Sequence, residues 1–114
     1  MMARETNKVL IVTIVRRGWG DRVVEASMKA GARGGTVFFG RGIGIHEQQK
    51  ILGIQIEPEK EIVFTVVDQQ KAEDVLNVIN SAVNLNMPGH GIAFVIELSK
   101  VIGVVHATNT LPSQ

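Results

Sequence analysis

Residues 61–97 read EIVFTVVDQQKAEDVLNVINSAVNLNMPGHGIAFVIE, and this stretch determines the architecture of the chain. Its first part, 61–67, is rich in β-branched residues and predicts a buried strand. The middle part predicts an amphipathic helix, because its apolar residues recur at helical spacing. These residues are Ala72, Val75, Leu76, Ile79, Ala82 and Val83. Residues 84–88 end the helix, and 92–97 predict a further apolar strand, so the stretch has the order strand, helix, strand.

The N-terminal half of the chain has the same order of elements. Residues 9–15 form a β-branched apolar run that predicts a buried strand. Asp21 then stands where an N-cap or a first-turn acid favours a helix, and Gly31 is suited to end that helix. Residues 36–39 predict the next strand, and 100–105 predict a short final one.

The order β-α-β, long loop, β-α-β is the ferredoxin-like split βαβ motif, which is an α+β fold. Right-handed crossovers place both helices on one face of an antiparallel sheet. Val and Ile dominate both sides of the strands, so the other face is predicted to be apolar and uncovered. An uncovered apolar face indicates assembly, and either a threefold arrangement or a dimer would cover it.

The composition limits the class of protein. The 114 residues fit a single domain, 1–114, and 45 % hydrophobic with 20 % charged residues is typical of a globular chain rather than a disordered one. A net charge of +1 gives no support to nucleic acid as the main partner. The lack of cysteine excludes disulfides, thiolate metal sites and a cysteine nucleophile. No signal peptide or membrane span is recognisable, so we expect a cytoplasmic protein.

Two short glycine turns are the first candidates for a binding site. Residues 40–44 read GRGIG after the second strand, and residues 88–91 read PGHG before the fourth. Glycine lets a ligand approach backbone N–H groups closely, and Arg41 or His90 could add a contact to an anion. The competing interpretations are a plain glycine bulge at a sheet edge and a tight turn with an exposed histidine. The two turns could face each other across a crevice.

The segment 45–59 predicts a long loop, and 106–114 predict a polar, flexible tail. Loops of this length within a compact domain are often functional. This loop carries apolar residues that a solvated linker would lack, namely Ile45, Ile51, Leu52, Ile54 and Ile56. They favour a surface buried against a ligand, a neighbouring subunit or a partner, or else a loop that folds back onto its own sheet.

Other segments carry weaker signals. The acidic and basic run at 57–61 is interpreted as a solvated strand entry rather than as paired catalytic carboxylates. His46, His90 and His106 lack the spacing of metal ligands, so no metal site is predicted. Trp19 is interpreted as a core plug rather than as a residue that stacks on a ligand. No catalytic triad or nucleophile elbow is recognisable, and we expect no enzymatic activity.

The order and spacing of these motifs resemble the P-II signalling proteins of nitrogen regulation, and within them a divergent P-II-like branch. The resemblance covers roughly residues 8–105. Besides the order of elements, it rests on GTV at 35–37 with GRGIG before the loop, on 59–68 after it, and on MPGHGIAFVIEL at 87–98. It implies a compact homotrimer that binds adenine nucleotides in the clefts between subunits.

The resemblance also implies that the loop at 45–59 is a T-loop, which changes conformation with the ligand and docks on a target protein. Targets in the family are often membrane transporters or metabolic enzymes. The candidate contacts to a partner are Ile45, His46, Lys50, Ile51, Leu52 and Ile54. Residues 45–60 include no Tyr, Ser or Thr, so ligand binding must switch the loop unless a lysine in it is acylated.

The glycine turns and the resemblance together give the candidate nucleotide-binding residues. These are Thr36, Arg41, Gly42, Gly44, Lys60, Gly89, His90 and Gly91. The chain departs from the family by having Ile45, Ile92, Gly103 and Val105 where the family has basic residues. A triphosphate needs several cations or Mg²⁺, so ADP or AMP is expected to be favoured over ATP. The nucleotide is expected to be an effector ligand, and no obligatory cofactor is expected.

Two alternatives stay open. One is a trimeric metal-responsive or metal-tolerance protein of similar fold, which rests only on the fold and three histidines. The other is a small ligand-binding enzyme, but no nucleophile or acid pair in the sequence supports it.

Overall fold

The computed structural model describes residues 4–5, 7–44, 49–51, 54–56 and 58–103, with side chains described for 7–44 and 58–103. In chain order, the elements are β1 (Arg4–Glu5), β2 (Lys8–Arg16), α1 (Gly20–Lys29), β3 (Thr36–Arg41), β4 (Gln49–Ile51), β5 (Ile54–Ile56), β6 (Glu59–Asp68), a 3₁₀ turn (Gln69–Lys71), α2 (Ala72–Val83), β7 (Gly91–Glu97) and β8 (Val101–Ile102). Within these described ranges, no helix is both long and apolar enough to cross a membrane.

Four strands form the central sheet in the order β3-β6-β2-β7, and every neighbouring pair is antiparallel. The helices α1 and α2 pack against each other and against one face of this sheet. The protein therefore has the ferredoxin-like α+β fold that the order of elements predicts. The strands β2 and β6 are central, so each is hydrogen-bonded on both sides.

The hydrophobic core lies between the helices and one face of the sheet. Alternate residues of β2 and β6 point to this face, because the side chains of a strand alternate between its two sides. The core side chains from the strands and both helices are almost completely buried: Val9, Ile11, Val15, Val23, Val63, Val67, Val75, Ile79 and Val83. The apolar residues at helical spacing that predict the second helix lie within α2, and three of them, Val75, Ile79 and Val83, are buried.

The opposite face of the sheet is apolar and is not covered by a described helix. It carries the other alternate residues of the four strands, namely Leu10, Val12, Ile14, Phe38, Ile62, Phe64, Val66, Ile92, Phe94 and Ile96. Phe38 and Phe64 meet there edge to face, with ring centroids 4.6 Å apart. Ile92 is 55 % exposed and Ile96 is 45 % exposed. The prediction of an apolar, uncovered sheet face is confirmed for the single chain.

The acidic run before the third central strand has a structural role. Glu61 is buried, and its carboxylate accepts hydrogen bonds from the backbone N–H groups of Gly18 (2.9 Å) and Gly20 (2.7 Å). It thereby caps the N-terminus of α1, where N–H groups without a helical partner and the helix dipole favour a negative charge. The interpretation of this run as a solvated strand entry is therefore wrong for Glu61 and for the buried Lys60.

Two pairs of short strands differ from the predicted elements. The strands β4 and β5 form a hairpin within the segment expected to be an irregular loop. The strand β8 is shorter than the final strand expected at 100–105, and it pairs with β1 in the polar N-terminal segment. Strands of two or three residues carry too short an apolar pattern to predict. The expected tail, 106–114, lies outside the described residues.

Candidate functional site

A cavity of about 410 Å³ lies on the uncovered face of the sheet, where β3 ends and β7 begins. Its lining comes from both glycine turns and from β2, β3, β6 and β7. The lining residues are Ile14, Arg41, Gly42, Ile43, Gly44, Lys60, Ile62, Gly89, Gly91 and Ile92. Small-molecule sites have volumes of about 300–1,000 Å³, so the cavity is large enough for such a ligand.

The floor of the cavity is apolar because of the register of three strands. Ile14 of β2 lies opposite Ile62 of β6 on one side and opposite Ile92 of β7 on the other. Residues directly opposite each other in an antiparallel pair point to the same side of the sheet. The three isoleucines therefore form a continuous row, which suits a flat apolar group such as an aromatic ring.

The glycine turns line the cavity with backbone rather than with bulky side chains. Gly91 has φ +143°, and a Cβ there would lie 2.3 Å from the carbonyl oxygen of Ile14. A larger residue is thus excluded where β7 meets β2. On the first turn, the N–H group of Gly42 donates to the carbonyl oxygen of Pro58 (3.2 Å), which ties this turn to the chain entering β6.

The charged groups at the cavity are cationic. Arg41 is exposed at the end of β3, whereas Lys60 is only 7 % exposed and lies opposite Gly40 in the sheet. None of the described residues that line the cavity is acidic. An apolar floor with two cations suits a ligand that combines an apolar ring with negative charge.

The structure brings most of the predicted ligand-binding residues together. Arg41, Gly42, Gly44, Lys60, Gly89 and Gly91 all line the cavity. They meet within a single chain, so the two glycine turns face each other across a crevice without a second copy.

Two of the predicted residues lie elsewhere. Thr36 begins β3, and it lies about 16 Å along the strand from Arg41. The ring of His90 contacts the edge of Trp19, with centroids 4.9 Å apart, and its Nδ1 atom is 2.8 Å from the carbonyl oxygen of Val83. The His90 ring thus has partners on the helix side, and its contact with a ligand stays a prediction.

Trp19 packs against the hydrophobic core at the start of α1. The guanidinium groups of Arg16 and Arg22 lie over its ring, 5.0 Å and 5.3 Å from the centroid. Its interpretation as a core plug is confirmed, and the plug also carries two cation–π contacts.

Sequence reasoning did not predict the isoleucine floor. Ile14 and Ile62 lie in runs where residues on both sides of the strand are apolar, so the sequence does not show which face each one takes. The strand register shows which face these residues take, and the register is known only when the strand order is known. For Ile92, the sequence indicates only that the basic residue of the resembled family is lacking at this position.

A comparison with models of protein families matches residues 8–107 to the nitrogen regulatory protein P-II family. The chain belongs to the P-II family. Among solved structures, it is similar to the crystal structure of Arabidopsis thaliana PII bound to citrate, with 28 % sequence identity and a TM-score of 0.67. This similarity covers 88 % of this chain and 82 % of the plant chain. A search of curated protein sequences found no significant match.

The P-II match extends over both glycine turns and the whole cavity. P-II proteins are signalling regulators, and they are in general not enzymes. In its crystal structure, the plant PII binds citrate, a small anionic molecule. This chain therefore belongs to a family of signal-transduction proteins.

The segment predicted to be the T-loop, 45–59, connects two parts of the cavity wall. It leaves the cavity after Gly44 and returns to it at Lys60. Of the predicted partner-binding residues, the strands β4 and β5 carry Lys50, Ile51 and Ile54. The others lie outside the described residues, namely Ile45, His46 and Leu52.

This P-II chain has three histidines, which are possible metal ligands. Across the described ranges, no group of three or more His, Asp or Glu side chains is arranged to hold a metal ion. His90 contacts Val83 and Trp19, and His46 and His106 lie outside these ranges.

Proposed function

We propose that the cavity binds an adenine nucleotide, with ADP or AMP favoured over ATP, and that the bound nucleotide controls the T-loop. The observation that carries the proposal is the combination, in one cavity, of an isoleucine floor, glycine backbone and two cations. An adenine ring matches the isoleucine row through dispersion and apolar burial. The phosphates match the glycine turns, where no side chain blocks their approach, and the side chains of Arg41 and Lys60.

The preference for fewer phosphates follows from the charge of the cavity lining. Among the described lining residues, Arg41 and Lys60 are the cations, and Ile92 occupies a position that is basic in the resembled family. ATP carries more negative charge than ADP or AMP, and each uncompensated charge costs free energy when it leaves water. We therefore expect affinity to fall as phosphates are added beyond the number that the cations balance.

The T-loop is coupled to the ligand through its two ends. Gly44, before the loop, and Lys60, after it, both line the cavity. The hydrogen bond from the Gly42 N–H to the Pro58 carbonyl joins these ends beside the site. A ligand that contacts both ends favours one loop conformation over others, which is how a small molecule shifts a conformational equilibrium. The proposed target is a membrane transporter or a metabolic enzyme, and the proposed location is the cytoplasm.

The proposed assembly is a homotrimer. Its support is the uncovered sheet face, where aromatic and branched side chains such as Phe38, Phe94 and Ile96 are 40–45 % exposed. A patch of this kind on a small domain is characteristic of an interface between copies. The cavity lies on the same face, so assembly would place a neighbouring subunit beside it and turn it into a cleft between subunits.

Isothermal titration calorimetry tests the nucleotide part of the proposal. AMP, ADP, ATP and citrate are titrated into the wild-type protein, into Lys60→Gln and into the exposed control Lys100→Gln. We expect AMP and ADP to bind more tightly than ATP, and Lys60→Gln to weaken them about tenfold or more, while Lys100→Gln changes nothing.

No heat of binding with any nucleotide at millimolar concentration would contradict the proposal. Binding of citrate alone would assign the cavity to a polycarboxylate effector instead.

A further inference from the structure

We infer that the groove between α1 and α2 docks an acidic amphipathic helix of a partner protein. The inference goes beyond the proposed function, because it concerns the helix-bearing side of the molecule and requires no ligand in the cavity. The groove has a volume of about 300 Å³. It is lined by Arg22, Glu25, Ala26 and Lys29 of α1 and by Val78 and Ala82 of α2.

The floor of the groove is made of small apolar side chains. Ala26 of α1 and Ala82 of α2 are half-buried where the two helices pack against each other. Val78 lies one turn before Ala82 on the same side of α2, because residues four apart share a helix face. Small side chains leave room between the helices, so the floor can accept one branched apolar side chain from a partner.

The charges of the groove lie on α1. Arg22, Glu25 and Lys29 are exposed and follow the spacing i, i+3, i+7, which places all three on one side of the helix. The two cations are two turns apart, so their Cα atoms are separated by about 10 Å. Among the described residues, no carboxylate forms an ion pair with either cation. Glu25 can neutralise one of them at a time, so the α1 edge keeps a net positive charge.

The α2 edge adds no charge to this pattern. After its first turn, α2 has no ionisable residue, and 75–83 read VLNVINSAV. Its two acids, Glu73 and Asp74, lie in the first turn and are not among the lining residues. The groove therefore combines an apolar floor with one edge whose charges alternate as cation, anion, cation.

One of the two cations is held in place before a partner binds. The guanidinium group of Arg22 lies over the ring of Trp19, 5.3 Å from its centroid. Trp19 packs against the hydrophobic core, so the stacked arginine loses less side-chain freedom on binding than a mobile one. We therefore expect Arg22 to be the stronger of the two cationic contacts.

An acidic amphipathic helix is the occupant that matches this pattern. In a helix laid parallel to α1, an acid, a base, an apolar residue and an acid at i, i+3, i+4 and i+7 would face Arg22, Glu25, the alanine floor and Lys29 in turn. The glutamate between the two cations disfavours a uniformly anionic surface such as a lipid bilayer, because it repels negative charge at the centre.

A partner protein is favoured over a second copy by the position of the groove. The groove lies on the helix-bearing side of the sheet, whereas the apolar face proposed to be buried between copies lies on the other side. Assembly through that face would leave the groove accessible.

A designed peptide serves as the probe. It is a fluorescein-labelled, alanine-rich helix of about 15 residues with Glu, Lys, Leu and Glu at i, i+3, i+4 and i+7. In a charge-inverted control peptide, each Glu is replaced by Lys and the Lys by Glu. Fluorescence anisotropy measures binding to the whole chain without nucleotide. A contact of this size is weak, so we expect a Kd of about 0.1–1 mM for the acidic peptide and binding at least tenfold weaker for the control peptide.

Charge reversal and steric filling locate the contact. Lys29→Glu should weaken the acidic peptide about fivefold or more, whereas Lys100→Glu makes the same change of charge at an exposed lysine elsewhere and should have less than about a twofold effect. The double variant Arg22→Glu/Lys29→Glu should lose the acidic peptide and gain the charge-inverted one. Ala82→Leu keeps every charge, fills the floor and should weaken the acidic peptide about tenfold or more.

The fluorescence of Trp19 gives an independent measurement, because Trp19 is the only tryptophan of the chain and Arg22 lies over its ring. A carboxylate bound to Arg22 changes the surroundings of the indole ring. The acidic peptide should therefore shift the emission, and the charge-inverted peptide should not. The shift should be absent in Arg22→Gln.

Several outcomes would overturn the inference. These are no binding of the acidic peptide at millimolar concentration, equal binding of both peptides to the wild type, and equal losses in Lys29→Glu and Lys100→Glu. Binding to phosphatidylglycerol vesicles in place of the peptide would assign the cations to a lipid surface. Self-association that Lys29→Glu abolishes and Lys100→Glu does not would assign the groove to a second copy. Nucleotide binding in the cavity is measured separately and stands or falls independently of these results.

Discussion

The two faces of the central sheet have similar side chains but different surroundings. On the covered face, Ile11 and Val63 are completely buried under the helices. On the other face, Phe38, Phe64 and Phe94 are 37–41 % exposed, although they belong to the same strands or to their direct neighbours. The covered face stabilises the single chain. The uncovered face leaves apolar surface exposed, and the cavity lies on it, so the proposed assembly and the proposed ligand site both belong to the face that the helices leave free.

The largest expected effect comes from a charge on the uncovered face. If this face is buried between copies, Phe94→Glu places one carboxylate per copy in the interface, at a cost of several kcal/mol for each uncompensated ion. Sedimentation velocity should show a trimer for the wild type and a monomer for Phe94→Glu, with unchanged circular dichroism.

Met28→Glu is the matched control for this experiment, because Met28 is 50 % exposed but lies on α1, away from the sheet. It should remain trimeric. A wild-type protein that stays monomeric at all concentrations would contradict the proposed assembly.

The covered face is tested by removing a core side chain. Ile11→Ala deletes a completely buried side chain and should lower the free energy of unfolding by about 2–5 kcal/mol. Ile96→Ala makes the same change where the side chain is 45 % exposed, and in dilute monomeric protein it should cost less than about 1 kcal/mol. Urea unfolding at several protein concentrations measures both. Equal losses of unfolding free energy in monomeric Ile11→Ala and Ile96→Ala would contradict the described difference between the two faces.

A smaller effect of opposite sign is expected at two buried hydroxyl groups of the covered face. The Oγ1 atoms of Thr13 and Thr65 are buried and have no hydrogen-bond partner among the residues that the structure describes. Thr65→Val removes an unsatisfied hydroxyl at nearly constant volume and should raise the free energy of unfolding by about 1 kcal/mol. Thr65→Ser keeps the hydroxyl, loses a methyl group and should lower it. A valine variant less stable than the wild type would reveal a partner for this hydroxyl.

The smallest effect concerns the far end of the sheet, where Lys8 donates a hydrogen bond to Asp68. This bond and the charge of Lys8 hold the pKa of Asp68 below its ordinary value of 3.8. Because the pKa is lowered in the folded state, the pair stabilises the fold above the unfolded pKa, and this contribution is lost as the pH falls through the folded pKa. Both side chains are partly exposed, so we expect less than about 1 kcal/mol.

Urea unfolding measured from neutral pH down to about pH 3 tests this ion pair in wild type, Asp68→Asn, Lys8→Gln and the double variant. The wild type should lose more stability on acidification than Asp68→Asn. Parallel pH profiles of the two would show that the pair makes no contribution.

The sequence predicted the fold well where the apolar pattern is long. The second helix extends over six apolar positions at helical spacing, and its structural bounds, Ala72–Val83, agree with that pattern. The hairpin of β4 and β5 is not predictable in the same way, because each of its strands has three residues, which is too short for an apolar pattern. The role of Glu61 could not be predicted, because its partners, the N–H groups at the start of α1, are distant in sequence.

The site was predictable to the extent that glycines mark it. Both glycine turns were identified, and the structure places them at one cavity. The position of His90 and the contributions of Ile14 and Ile62 depend on strand register and on helix ends, which composition does not reveal. Thr36 is predicted by the resemblance alone, and it lies about 16 Å along β3 from Arg41 in the single chain, so its part in nucleotide binding stays a prediction.

A crystal structure of the protein with bound ADP tests the central claim most directly. We predict electron density for ADP in the cavity, with the adenine ring on the row of Ile14, Ile62 and Ile92 and the phosphates between the glycine turns, next to Lys60. The uncovered sheet face of each chain should be buried by two neighbouring copies. ADP bound elsewhere, or a cavity that stays closed to it at saturating concentration, would contradict the proposed function.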